Sequence, residues 1–132
     1  MSIGAVSAPR PLSMAAALGL RLRIMLLMRI ERWDVRRDGP LSEGALDQKL
    51  RALGYHTVLR TYPADAISAT QADLNERAEA VVSGLIKVTL DGESAILTAG
   101  DIVFVPPGAS RRLEVVGGSP AYCFEATSGR HH

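Results

Sequence analysis

The chain has 132 residues, 47% of them hydrophobic, and a formal net charge of +1 from 15 basic and 14 acidic side chains. That length suits one globular domain and leaves no room for two. The near-balanced charge, with no basic stripe interleaved with aromatics, argues against nucleic acid as a partner.

The one cysteine, Cys123, sits in an apolar stretch and cannot staple the fold. It suits a reducing compartment, which predicts a cytoplasmic protein, and it reads as a packed thiol rather than a nucleophile. Of the three histidines, His131 and His132 end the chain and read as tail, leaving His56. No His-x-His, His-x-x-x-His or Cys-x-x-Cys spacing occurs, so a zinc or iron site starts short of ligands. A Ser-His-Asp set cannot be assembled either, and no glycine loop for phosphate is present. No cofactor is expected.

Residues 1–28 differ from the rest. Their apolar run "SMAAALGL" is broken by Arg21 and Arg23, too short and too charged to span a bilayer. The arginines follow the apolar run instead of preceding it, which makes a poor signal peptide. The segment reads as an appendage outside the domain, with translation starting at Met25 or Met28. An amphipathic partner helix or an export signal are the alternatives. Trp33 in "IERWDVRRDG" is expected to anchor the N-terminal segment on the domain, and "VRRD" reads as a solvated charge cluster.

Residues 42–53, "SEGALDQKLRAL", place Leu46, Leu50 and Leu53 on one helical face, with Ser42 to cap the start and Gly54 after the end. From Tyr55 onward the period changes to two. "HTVLRTY", "AEAVVSG", "LIKVTL", "ESAIL", "IVFVP", "RRLEVV" and "AYCFEA" are strand candidates separated by Asp-Gly, Ala-Gly-Asp and Gly-Gly turns. Short strands at this spacing predict an all-β sandwich or barrel over residues 29–128 with one short N-terminal helix.

The stretch "EAVVSGLIKVTLDGESAILTAGDIVFVPPGASRRLEV" resembles the cupin superfamily of small jelly-roll β-barrels. Gly100, Pro106 and Gly108 stand as in that family's second motif, which ends in a histidine; here the position is Arg111. In the first motif a glutamate precedes a glycine by seven residues. Counting back from Gly84 puts Arg77 there, and the histidine positions fall near Gln71 and Asp73. The resemblance implies a single-domain jelly-roll with a central pocket, and a homodimer through barrel-edge strands. The substitutions remove support for the family's metal chemistry, because arginine has no lone pair to give and repels cations.

Strand alternation puts Arg77, Glu79, Val81 and Ser83 on one face, and Arg111 on one face with Leu113 and Val115. The expected interior is apolar, carrying Arg77 and Arg111 with Glu79, Asp73 and Gln71. One account is an ion-pair network that replaced a metal. Another is a site whose arginines grip an anionic or carbonyl-bearing small organic ligand, with Glu79 or Asp73 as acid or base. Tyr62 and Tyr122 are candidates to line the mouth. A slip of one residue in register would void both accounts. A third keeps Mg or Ca on Asp73, Glu79 and His56. The site expectations lead to a metal-independent binding protein, or to an isomerase, cyclase or lyase using Glu79 and Asp73.

Overall fold

The computed structural model describes residues 28–128. In chain order the elements are β1 (Arg29–Glu31), α1 (Val35–Asp38), α2 (Glu43–Ala52), β2 (Tyr55–Tyr62), β3 (Arg77–Ser83), β4 (Leu85–Leu90), β5 (Glu93–Leu97), β6 (Ile102–Val105), β7 (Arg111–Val116) and β8 (Ala121–Ser128). The strands form two antiparallel sheets, β1-β6-β3-β8-β2 and β5-β4-β7. The β2–β3 connection runs along the free side of β7. Ser68 donates to the Leu113 carbonyl at 2.9 Å, and Gln71 and Arg111 exchange both backbone bonds at 2.9 and 2.7 Å. The smaller sheet thereby gains an irregular extra edge.

Alternation sorts the apolar residues into two clusters. Between the sheets lie Val81, Ile86, Val88, Leu97, Val103 and Cys123. The outer face of the larger sheet is covered by α2, whose Leu46 and Leu50 are fully buried against Ala78, Ala80, Ile102 and Phe124. Each buried leucine stabilises this contact by about 1.5–3 kcal/mol. The larger sheet is therefore dry on both faces at β3, which explains the unbroken burial of its first five residues. Ser42 caps α2 by accepting from the Ala45 N–H at 3.0 Å, as its sequence predicts.

Two short elements went unpredicted. β1 has three residues, too few for a period to show, and α1 is a single exposed turn capped by Asp34 within the "VRRD" cluster. Both belong to an N-terminal strap. β1 pairs with β6, Arg32 forms an ion pair with Asp101, and Lys49 bridges Glu31 and Asp38 at 2.7 and 2.9 Å. Trp33 donates from Nε1 to the Gly39 carbonyl at 2.8 Å and packs on the outer cluster. Residues 1–27, expected to lie outside the domain, are outside the described residues, whereas Met28 packs against the interior. Among the described residues, no helix is long and apolar enough to cross a membrane.

Gly100, the motif glycine, has φ of +90°, and a Cβ there would lie 2.6 Å from the Cβ of Trp33. Gly100→Ala is expected to lower stability by roughly 2–4 kcal/mol, combining left-handed strain with overpacking. Gly92→Ala, at the same φ but in open space, should cost only the strain of about 1–2 kcal/mol. Urea denaturation of both checks the difference.

Candidate functional site

β3 and β7 supply the charged centre. Arg77, Glu79 and Val81 alternate with Ala78 and Ala80, so the first set faces the space between the sheets. On β7 the buried residues are Arg111, Leu113 and Val115, with Arg112 and Glu114 half-buried on the other face. Arg111 Nη1 donates to Glu79 Oε1 at 2.7 Å and Nη2 to Gln71 Oε1 at 3.2 Å. Tyr62, half-buried on β2, donates to Glu79 Oε2 at 3.3 Å. Glu79 is fully buried and holds a partner on each oxygen.

Arg77 is served less well. It is 3% exposed, and among the described residues its one side-chain hydrogen bond runs from Nη2 to the Ala109 carbonyl at 3.1 Å. Among the described residues no carboxylate lies within ion-pair distance of it. Burial, and then the neighbouring Arg111 charge, hold its pKa below the ordinary arginine value. Among the described residues, the buried Nε groups of Arg77 and Arg111 find no hydrogen-bond partner. Buried N–H groups are rarely left so.

Burial raises the Glu79 carboxyl from 4.5 to about 7. Arg111 pulls it back down, Glu125 pushes it up, and Tyr62 and Arg60 act weakly downward. Tyr62 and Cys123 are both pushed upward, first by burial and then by the Glu79 charge. A thiol so held is the packed one that the sequence suggests.

The other candidates are spread more widely. Asp73 is exposed on the β2–β3 connection, where its side chain accepts from the Asn75 N–H at 3.0 Å and its carbonyl from the Gly108 N–H at 2.7 Å. It braces the Pro-x-Gly turn and reaches Arg77 only through its charge. Tyr122 is 42% exposed and alternates with the buried Ala121 and Cys123, so it faces away from Glu79. His56 is exposed, on the inward face of β2, in a row through Thr127 to Arg77.

Two residues were missed from sequence. Glu125 lies directly across from Glu79 on β8, and Arg60 on β2 binds it at 2.7 Å between Nε and Oε1. The alternation of "AYCFEA" puts Glu125 with Cys123, but only the pairing of β3 with β8, strands far apart in sequence, sets it beside Glu79. Val58 is 52% exposed although it shares the face of Tyr62, as does Arg60. The interior therefore opens to solvent along β2.

At the four positions where the cupin resemblance implies metal ligands stand Gln71, Asp73, Arg77 and Arg111. This donor set does not fit a metal ion: two members are cations without a lone pair, and Gln71 is bonded to one of them. The Mg or Ca account built on Asp73, Glu79 and His56 is not met either. Among the described residues no three His, Cys, Asp or Glu side chains gather to hold an ion.

The cupin domain family model matches residues 61–127, and the chain belongs to that family. A cupin 2 domain-containing protein from Halorhodospira halophila is 18% identical over 80% of this chain and 77% of its own, with a TM-score of 0.60. An RmlC-like cupin from Shewanella frigidimarina is 24% identical over 60% and 69%, at 0.53. A cupin protein from Bacteroides fragilis is 22% identical over 76% and 84%, at 0.52. At these identities the likeness establishes the jelly-roll fold alone. No curated protein matches the chain.

Arg111→Met, which strands a buried carboxylate, should cost about 3–5 kcal/mol, and adding Glu79→Leu should recover most of that loss. Denaturant titration of the single and double variants checks this. A carboxyl titrating at about 7 when folded and 4.5 when unfolded binds more protons in the folded state between those values. Its contribution is therefore full at low pH and is lost as pH rises through about 7. Glu79→Gln should remove that decline, so the difference in stability between variant and wild type should shift in the variant's favour from pH 5 to 8.

Proposed function

We propose that this cupin binds a small organic ligand bearing a carboxylate or a polarised carbonyl, gripped by Arg77 and Arg111 without a metal ion. The carrying observation is Arg77: a buried guanidinium that among the described residues has one carbonyl partner, no carboxylate and an orphaned Nε. A buried cation left so poorly paired is costly, and an anion supplied from outside offsets that. Gln71 and Tyr62 hold the fork of Arg111 and the carboxyl of Glu79 in place. The opening along β2 gives the ligand its way in.

The second reading makes the same site an enzyme of isomerase, cyclase or lyase type. Its support is Glu79, a buried carboxyl raised to about 7 beside a guanidinium, which suits an acid or base at neutral pH. Asp73 serves this reading less well, since its side chain is engaged in its own loop. The partner set is otherwise small: no nucleic acid and no membrane. The lone buried cysteine supports a cytoplasmic setting. β2, at an edge of the larger sheet with Leu59 43% exposed, supports a homodimer. A monomeric mass by light scattering would rule that out.

The test is a thermal-shift screen against small carboxylates, keto acids and their neutral isosteres. A hit should raise Tm, and Arg77→Gln or Arg111→Gln should weaken its affinity roughly 10- to 100-fold, the worth of a charged hydrogen bond. If both variants fold and bind as wild type does, the reading fails. Glu79→Gln should retain ligand binding, with its charge preference altered, and should abolish product formation if the site is an enzyme. Elemental mass spectrometry on protein lacking His131 and His132 should find no stoichiometric metal; one equivalent would overturn the metal-free account.

A further inference from the structure

The charges inside the barrel do not balance. Four charged residues are buried among the described residues: Arg77, Glu79, Asp101 and Arg111. Asp101 belongs to the β5–β6 turn, where it accepts from the Thr98 N–H at 2.9 Å and pairs with Arg32 of the strap. The interior is thus left with two guanidiniums and one carboxylate. Arg60 and Glu125 at the mouth cancel each other and are partly solvated, at 53% and 24% side-chain exposure. Glu79 already holds Nη1 of Arg111, one arm of the fork that an incoming carboxylate would take, and Gln71 holds the other.

We infer that Glu79 is the site's built-in counter-anion, so that its proton sets the ligand charge the interior accepts: one negative charge while Glu79 is ionised, two when it is protonated. The inference rests on the proposed anion site and deepens it. With Glu79 ionised, a single ligand charge at Arg77 closes the interior at zero, and a second would be buried without a partner. Protonating Glu79 frees the Nη1 arm of Arg111 for a second carboxylate, which displaces Gln71 from Nη2. A ligand anion placed beside Glu79 in turn favours its protonation, since the coupling between the two sites is reciprocal.

The groups facing Glu79 make it the one to take the proton. Arg77 is on its own strand, Arg111 comes from β7, Glu125 and Cys123 from β8, and Tyr62 and Arg60 from β2. His56 lies further out on β2, Asp73 is on the connection to β3, and β6 offers the apolar Val103. Glu125 is directly opposite, and like charges so placed repel. Glu125 has solvent and Arg60 to hold its charge, whereas Glu79 is fully buried.

Succinate, succinamate and succinamide form a near-isosteric dianion, monoanion and neutral set that probes this by calorimetric titration of the full chain at about pH 6.5 and 8.5, where free carboxyls are largely ionised. At the higher pH succinamate should bind tightest. At the lower pH both anions should bind more tightly, succinate by roughly tenfold more than succinamate, and succinamide should not change. Titration of wild type in two buffers of different ionisation enthalpy should show proton uptake with succinate, which needs no variant. Glu79→Gln should favour succinate at both pH values and remove the uptake. Anion binding that Arg77→Gln abolishes but that is indifferent to pH, without proton uptake, would overturn the inference and leave the binding reading standing. No binding of either anion at tens of millimolar would overturn both.

Discussion

The interior of this barrel is organised by one contact, the buried ion pair between Arg111 and Glu79. It joins the smaller sheet to the larger one across the space between them. Removing either partner leaves a full charge in a dry environment, whereas removing both is tolerable. Two polar neighbours serve the pair: Gln71 takes the second arm of the fork, and Tyr62 the second carboxylate oxygen. Gln71 is brought there by the backbone pairing of the β2–β3 connection with Arg111 itself. Arg77 is the member left over, and the proposed anion site rests on that remainder.

The fold was legible in the sequence because its signals are local. Seven of the eight described strands announce themselves by alternation and by turn glycines, and α2 by its Ser42 cap and leucine spacing. The inward set of Arg77, Glu79 and Arg111 was legible for the same reason, since alternation needs no partner strand. What escaped was non-local. Glu125 reaches Glu79 only through the pairing of β3 with β8, and Arg60 reaches Glu125 only because β2 lies beside β8. Tyr122 illustrates the opposite error: a residue type suited to a pocket mouth, set on the wrong face by the same alternation.

The cupin family membership and the substituted ligand positions are compatible because the motif carries two separable demands. Its glycines and prolines shape turns. Gly100 admits Trp33, and Gly108, at φ of +82°, donates to the Asp73 carbonyl. Its histidines and glutamate carry chemistry. In this chain the first demand is met and the second is replaced by a guanidinium and carboxylate set, so the barrel survives with a different kind of interior.

The strap has a bearing on solubility that its packing does not suggest at first. β6 is the apolar run Ile102–Val105, buried throughout, and without β1 it would be the outermost strand of the larger sheet. A flat apolar edge of that kind is a template for pairing with other chains. β1 covers it with three residues, two of them charged, and a strand so short offers little edge of its own. Residues 28–33 thus cover that edge, and a change that loosened Trp33 from Gly100 would weaken the cover.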